Sequence, residues 1–294
     1  MKVAVIGASG QLGADVCRVY RQKGHEVVEL DHGRLEITGM ESCSSALRDE
    51  APGLVINCSA DHHVENCEAG PARAFAVNGM GPRNLSLLSN ELGFALAHYS
   101  TDYVFDGAKG APYVETDSPL PLNVYGNTKL AGEFFVRTIA KRFFIIRTSG
   151  LFGASPCRAK GGLNFVQLML KLGREREEVR VVDDEVLSPT YTLDLARQTE
   201  KLTETDFHGV YHATSQGSCS WHAFAREIFM MAGLKARLSI ADPGEFPAKT
   251  LRPKYSVLEN AALKKIGCDI MPPWNQSLRA YLNDADLVAN RIIG

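Results

Sequence analysis

No stretch of this chain approaches the roughly 18 consecutive apolar residues that a membrane-spanning helix needs. Its N-terminus, "MKVAVIGASG", lacks the long apolar region of a secretory leader, because the apolar run is short and glycines arrive early. Cysteine shows no pattern either. The seven cysteines are odd in number and include no C-x-x-C pair, which predicts reduced thiols in a cytoplasmic protein. There is no excess of charge of either sign: 32 Lys and Arg stand against 34 Asp and Glu, a net charge of -2. That balance argues against nucleic acid or an anionic membrane as a partner. Internal repeats and low-complexity tracts are also missing. What is present is an ordinary globular composition, 45% hydrophobic and 22% charged over 294 residues. Such a chain can bury a substantial core as one large domain or two unequal ones.

The first thirty residues carry the earliest chemical signal. "KVAVIG" is a β-branched run with the continuous apolarity of a strand buried on both faces. It enters "GASGQLG", which spaces Gly7, Gly10 and Gly13 as G-x-x-G-x-x-G. "ADVCRVYRQKG" then predicts a helix ending near Gly24, and "HEVVELD" a second strand closing on Asp31. A strand, glycine turn, helix and strand within about 30 residues is the context of a dinucleotide site. The glycines permit a tight turn, close approach of backbone to a pyrophosphate, and close helix–strand packing. The helix start adds free N–H groups and a positive dipole end. Asp31 is placed to accept hydrogen bonds from an adenosine ribose. Its carboxylate alone favours NADH, whereas His32 and Arg34 offer contacts to a 2′-phosphate, so NADH and NADPH both stay open.

Further strands are expected at "GLVINCSA" (53–60) and "FALAHYST" (94–101), separated by a helical segment at 71–92 with an irregularity near Gly81 and Pro82. Alternating strands and helices predict an α/β fold with a doubly wound parallel sheet, whose ligands bind beyond the carboxyl ends of the strands. Ser100, Thr101 and Asp102 therefore fall on the ligand side. "NVYGNTKLAGEFFVRTIAKR" (123–142) predicts a helix with Ala131, Phe135 and Ile139 along one face. Tyr125 and Lys129 lie about one turn apart and share a face. A nearby ammonium would lower the pKa of the tyrosine, and the hydroxyl of Thr101 would bind the same substrate oxygen. That set suits reversible carbonyl–alcohol chemistry beside a nicotinamide.

Other segments are less specific. His63 and Cys67 have i, i+4 spacing, but no second cluster completes a tetrahedral metal set, so a loop near the cofactor is expected and no metal. Residues 151–165, rich in glycine and small side chains, predict a mobile loop near the substrate. "KLGREREEVR" predicts a solvated helix end, and "GVYHATSQGSCSW" (209–221) a late strand and loop ahead of a C-terminal helical segment. Arg252 is suited either to a bidentate grip on a nucleotide diphosphate or to a surface or interdomain ion pair.

"GASGQLG", "HYSTDYVFDG", "PLNVYGNTKLAGE" and "RTS" resemble the extended short-chain dehydrogenases, and within them the dTDP-4-dehydrorhamnose reductase family. The likeness continues through "VVDDEVLSPTYTLDLA" and "RPKYSVLENAALKKIG". It implies a Rossmann domain at 1–152 and 180–214, with a second, smaller substrate domain at 153–179 and 215–294. It implies Thr101, Tyr125 and Lys129 as the catalytic set. Cofactor contacts are implied at Gly7, Gly10, Gln11, Leu12 and Gly13, at Asp31, Glu36 and Ile37, at Ala60, Asp61 and His62, and again at Tyr125 and Lys129. Val64, Thr101, Asp102 and Arg252 are expected to face a nucleotide-sugar substrate. The expected activity is NADPH- or NADH-dependent reduction of a nucleotide-linked 4-keto-6-deoxysugar. A nucleotide-sugar epimerase or dehydratase, and a non-catalytic subunit similar to the regulatory subunit of methionine adenosyltransferase, remain as alternatives. One departure is plain: family members often carry Trp after Arg-Thr-Ser, and this chain has Gly150.

Overall fold

In β1 (Lys2–Ile6), Val3 and Val5 enter one hydrophobic cluster while Ala4 and Ile6 enter another on the opposite face of the sheet. That double burial explains the unbroken apolar run. The chain is seen in a computed structural model that describes residues 1–156, 162–242, 244–246 and 250–284. After β1 come α1 (Gln11–Gln22), β2 (Glu26–Leu30), α2 (Met40–Glu50), β3 (Leu54–Asn57) and the short α3 (Val64–Ala69). α4 (Pro71–Phe75) runs through one π turn, Ala76–Met80, into α5 (Gly81–Leu92). β4 (Ala95–Thr101), α6 (Val124–Ile139) and β5 (Phe143–Thr148) follow. The central sheet has the order β2-β1-β3-β4-β5 with Gly209–His212 beyond β5, and every pairing is parallel. The doubly wound parallel sheet expected from the sequence is present. β5 lies outside the strands expected from the sequence, although "FFII" carries the same buried-strand signal.

The order reverses between β1 and β3. The chain steps outward from β1 to β2 and then returns to the other side of β1. Such a switch point opens a crevice beyond the strand ends. The π turn lies just ahead of Gly81 and Pro82, a few residues before the expected irregularity. Gly81 is required by packing, since a Cβ there would fall 2.8 Å from Ile37 Cγ1.

The rest of the chain packs against the α1 side of the sheet through helices Phe165–Glu175, Thr192–Thr203, Trp221–Ala232 and Trp274–Asn283. Small pairings brace it: Glu178–Val181 with Arg237–Ile240 in parallel, and Val186–Leu187 with Cys219–Ser220 antiparallel. Phe152, Val166, Phe224, Leu278 and Tyr281 belong to the same apolar cluster as Val3 and Val5, so one core runs from the sheet into this region. The charged stretch expected to be a solvated helix end closes its helix at Glu175 and then supplies a strand at 178–181. Of the expected mobile loop, Leu151–Phe152 form a short strand and Asn164 caps the following helix with a capping box; residues 157–161 lie outside the described residues. Among the described residues, no helix is long and apolar enough to cross a membrane.

Candidate active site

The glycine turn and the segment after β3 face each other across the switch point. Gly7 has a φ of 76°, and a Cβ there would sit 3.0 Å from the backbone nitrogen of Ser59. A Cβ on Gly13 would fall 2.2 Å from the Gly7 carbonyl oxygen, so only glycine lets α1 start this close to the turn. Gly10 caps α1 without a side-chain hydrogen bond, leaving the first-turn N–H groups near Gln11, Leu12 and Gly13 for an anion. Gln11 Nε2 is buried and has no hydrogen-bond partner among the described residues. An orphaned donor in a crevice built of glycines fits a dinucleotide.

Beyond β2, Asp31 is exposed and accepts the Gly33 N–H at 3.0 Å. Arg34 turns away from Asp31: it donates to the Glu29 carbonyl at 3.0 Å and pairs with Glu50 at 2.6 Å. Glu36 accepts from Thr38, which holds its carboxyl below the usual range, while Ile37 is buried and its carbonyl accepts from Asn84. Ala60, Asp61 and His62 follow β3 just beyond Ser59. Their anchor is Asn78, in the π turn: its Oδ1 accepts the Asp61 N–H at 2.9 Å and its Nδ2 donates to the Asp61 carbonyl at 2.8 Å. The same Nδ2 donates to Thr128 of α6 at 3.1 Å. Asn78 escapes a reading by motif, because its role depends on the extra residue of the π turn.

Thr101 ends β4 and Tyr125 lies in the first turn of α6. The Thr101 hydroxyl lies beside the Tyr125 phenol and favours its charged form; it accepts the Tyr103 N–H at 3.1 Å and donates to Asp102 at 3.0 Å. Two features bring α6 to this spot. Asn123 caps it, accepting the Gly126 N–H at 2.8 Å, and Gly126 packs where a Cβ would meet the Tyr103 carbonyl at 2.2 Å. Asp102 is buried and accepts from the hydroxyls of Thr101 and Ser149; burial raises its carboxyl pKa.

One sequence expectation fails here. Lys129 does not lower the pKa of Tyr125. Desolvation of the phenol dominates and pushes that pKa well up, with Thr101 opposing and Asp102 reinforcing. The Lys129 ammonium is itself buried and donates to the Tyr99 carbonyl at 2.6 Å, and burial lowers its pKa to about 8. The shared helix face is real, but the lysine points at the sheet. The expected stripe of Ala131, Phe135 and Ile139 is likewise only half-buried. The inner face of α6 carries Lys129, Gly132, Glu133 and Val136 instead. Polar groups occupy it because Glu133 meets buried Arg147 in a two-point ion pair at 2.9 and 2.6 Å and accepts from Ser100 at 2.5 Å.

At the mouth, Val64 opens α3 and Glu65 behind it pairs with Arg252. Of the two roles open to Arg252, the ion pair is the one formed, although its Nε is buried with no partner among the described residues. Gly150 has a φ of 56°, and a Cβ there would lie 2.6 Å from Leu187 Cδ1. Leu187 fills the space that a side chain at this position would enter. His63 caps α3 by accepting the Asn66 N–H, and Cys67 donates to the Asp61 carbonyl. Among the described residues, no group of three or more His, Cys, Asp or Glu is placed to hold a metal ion.

A parallel sheet with a glycine turn at its switch point and a Thr-Tyr-Lys set at the next strand end defines a protein of the extended short-chain dehydrogenase type. Within that class the chain belongs to the family described as RmlD substrate binding domain, which matches residues 1–287. It is 39% identical over 284 residues to the spore coat polysaccharide biosynthesis protein SpsK of Bacillus subtilis, covering 96% of this chain and 97% of that one. It is 38% identical over 281 residues to dTDP-4-dehydrorhamnose reductase of Streptomyces griseus, covering 93% and 90%. Among solved structures, dTDP-4-dehydrorhamnose reductase of Bacillus anthracis in complex with NADP superimposes with a TM-score of 0.90 at 37% identity, covering 96% of this chain and 98% of that one.

Proposed function

We propose that this protein is an NAD(P)H-dependent reductase of a nucleotide-linked 4-keto-6-deoxysugar, with dTDP-4-dehydrorhamnose as substrate and dTDP-rhamnose as product. The observation that carries the proposal is the juxtaposition of Thr101, at the carboxyl end of β4, with Tyr125, in the first turn of α6, beside a crevice shaped for a dinucleotide. The names of the relatives support the same chemistry. Gly7, Gly10, Gln11, Leu12 and Gly13 hold the pyrophosphate; Asp31, Glu36 and Ile37 flank the adenosine; Ala60, Asp61 and His62 line the opposite wall. Tyr125 and Lys129 meet the nicotinamide ribose. When bound, the dihydronicotinamide supplies a hydride to the keto carbon. Thr101 orients the carbonyl, Tyr125 gives its phenolic proton to the oxygen, and the Lys129 ammonium returns a proton to the phenolate left behind. Because burial keeps the phenol protonated, Tyr125 starts each turnover as the acid.

Val64 and Arg252 face the sugar nucleotide while Asp102 holds the Thr101 hydroxyl from within, with residues 153–179 and 215–294 forming the substrate side and 1–152 with 180–214 the cofactor side. Arg252 exchanges Glu65 for the diphosphate. The test is turnover: dTDP-4-dehydrorhamnose and related keto-sugars, with NADH or NADPH loss followed by absorbance. Consumption of one equivalent of reduced cofactor per sugar is expected. Protein that retains NAD through turnover would indicate an epimerase or dehydratase instead, and no turnover of any keto-sugar would indicate a non-catalytic role.

A further inference from the structure

Beneath Lys129 lies a chain of buried polar groups with a fixed direction. Ser59 donates twice to Asn57 Oδ1, from its backbone N–H at 3.1 Å and from its hydroxyl at 2.7 Å. A backbone N–H can only donate, so the Asn57 oxygen must face Ser59 and its amide nitrogen must face the other way. That nitrogen lies 3.1 Å from His98 Nδ1. An amide NH₂ donates, so Nδ1 accepts, and the single proton of the neutral imidazole sits on Nε2. Nε2 in turn lies 3.5 Å from Lys129 Nζ. His98 and Asn57 are essentially sealed from solvent, so water does not relax this order. Gly132 lets α6 lie against the π turn above this site, since a Cβ there would fall 2.3 Å from the Asn78 carbonyl oxygen.

We propose that Asn57 and His98 are positioning residues for Lys129: they present it with a hydrogen-bond donor, which favours the neutral amine and keeps the lysine ready to release its proton. This builds on the role of Lys129 proposed above. An ammonium has three donors and no acceptor, so an Nε2–H directed at it is unfavourable. The neutral amine has a lone pair that accepts that N–H and still donates to the Tyr99 carbonyl. The other groups facing Nζ are few. Glu133, on the same helix, favours the charged form but is already paired to Arg147; Cys58, beyond β3, acts in the same sense through its charge only when ionised, and burial opposes that. Tyr99 contributes its carbonyl, and Tyr125 stands one turn away. Burial together with Lys129 keeps His98 from protonating, which preserves its tautomer. Lys129 has its pKa lowered to about 8, chiefly by burial, in agreement with this arrangement.

Two measurements test the proposal without relying on turnover. Ring ¹⁵N shifts of His98 in the intact protein should report the Nε2–H tautomer. In Asn57→Asp the new carboxylate accepts from Nδ1–H and leaves Nε2 as an acceptor for the ammonium. The Lys129 titration midpoint, followed through its ¹³Cε resonance, should then rise by about one pH unit or more. An Nδ1–H tautomer in the parent protein overturns the proposal whether or not the variant folds. An unmoved midpoint in folded Asn57→Asp also overturns it. Loss of the proposed reductase activity would change neither observation, so the two ideas fail separately.

Discussion

Thr101 stands beside Tyr125, while Lys129, one turn along α6, is tied to β4. This division assigns them different effects on rate. Tyr125→Phe removes only the hydroxyl, so folding and cofactor affinity should persist while kcat for keto-sugar reduction falls by about 10²-fold or more. A variant reducing sugar at the parental rate would remove Tyr125 from the mechanism. The pH dependence belongs to Lys129. In the reductive direction the phenol stays protonated, and the ammonium is needed when the phenolate forms. kcat/KM should therefore be level below pH about 8 and fall as pH rises through it. Lys129→Met should be slower throughout and should lose that alkaline limb. A limb that persists unchanged in Lys129→Met would assign it to another group.

α1 and α6 are each set in place by a feature at their N-terminal end. Gly13→Ala drives a Cβ to 2.2 Å from the Gly7 carbonyl, and backbone cannot give way as a side chain does. The glycine turn must open, and cofactor affinity measured by calorimetry should fall at least 10-fold even where the fold survives. At α6, Asn123 caps the helix and also donates to the Leu251 carbonyl at 2.9 Å. Asn123→Ala should cost about 1 kcal/mol through the lost cap. It should also raise KM for the sugar nucleotide more than for the cofactor, because Leu251 adjoins Arg252. Equal changes in the two KM values would show that the cap serves only the helix. α3, by contrast, is a single short turn whose His63 and Cys67 serve its cap and the Asp61 carbonyl.

Arg147 sits among β4, β5, α6 and the edge strand, paired with Glu133 and 5.2 Å from the Phe105 ring. Removing one partner strands a charge in the interior. Glu133→Ala should lose about 3–5 kcal/mol of unfolding free energy, and adding Arg147→Met should restore a large part of it. Denaturant titration distinguishes the two, since a double variant no more stable than Glu133→Ala would mean that the charge is not the cause. His212, on the edge strand beside Arg147, is buried and neutral, and burial holds its pKa down to about 3. Between that value and the ordinary 6.5 the unfolded chain binds the proton and the folded one does not, so stability falls as pH drops. At about pH 5 the loss due to His212 is on the order of 2 kcal/mol. The stability gap between the parent and His212→Gln should narrow by that amount between about pH 7.5 and pH 5. A constant gap would show that His212 protonates equally in both states.

The features legible in the sequence are those written in local pattern. Continuous apolar runs, glycine spacing and one-turn spacing are properties of the chain alone, and they located β1 to β4, the glycine turn at the switch point, and the helix that carries Tyr125 and Lys129. β5 carried the same signal in "FFII". What a side chain faces depends on groups far away in sequence, and there only the tertiary structure decides. Lys129 donates to the Tyr99 carbonyl of β4, 30 positions back in the chain. Burial then sets the tyrosine and lysine pKa values, reversing the effect that helical spacing suggested for Tyr125. Arg252 meets Glu65 across 187 positions, and Asn78 reaches Asp61 only because a π turn rotates it there. The chain's local periodicity determined which elements form and where the reactive groups begin. Packing fixed their partners and dielectric surroundings, because both are sums over neighbours that no local stretch contains.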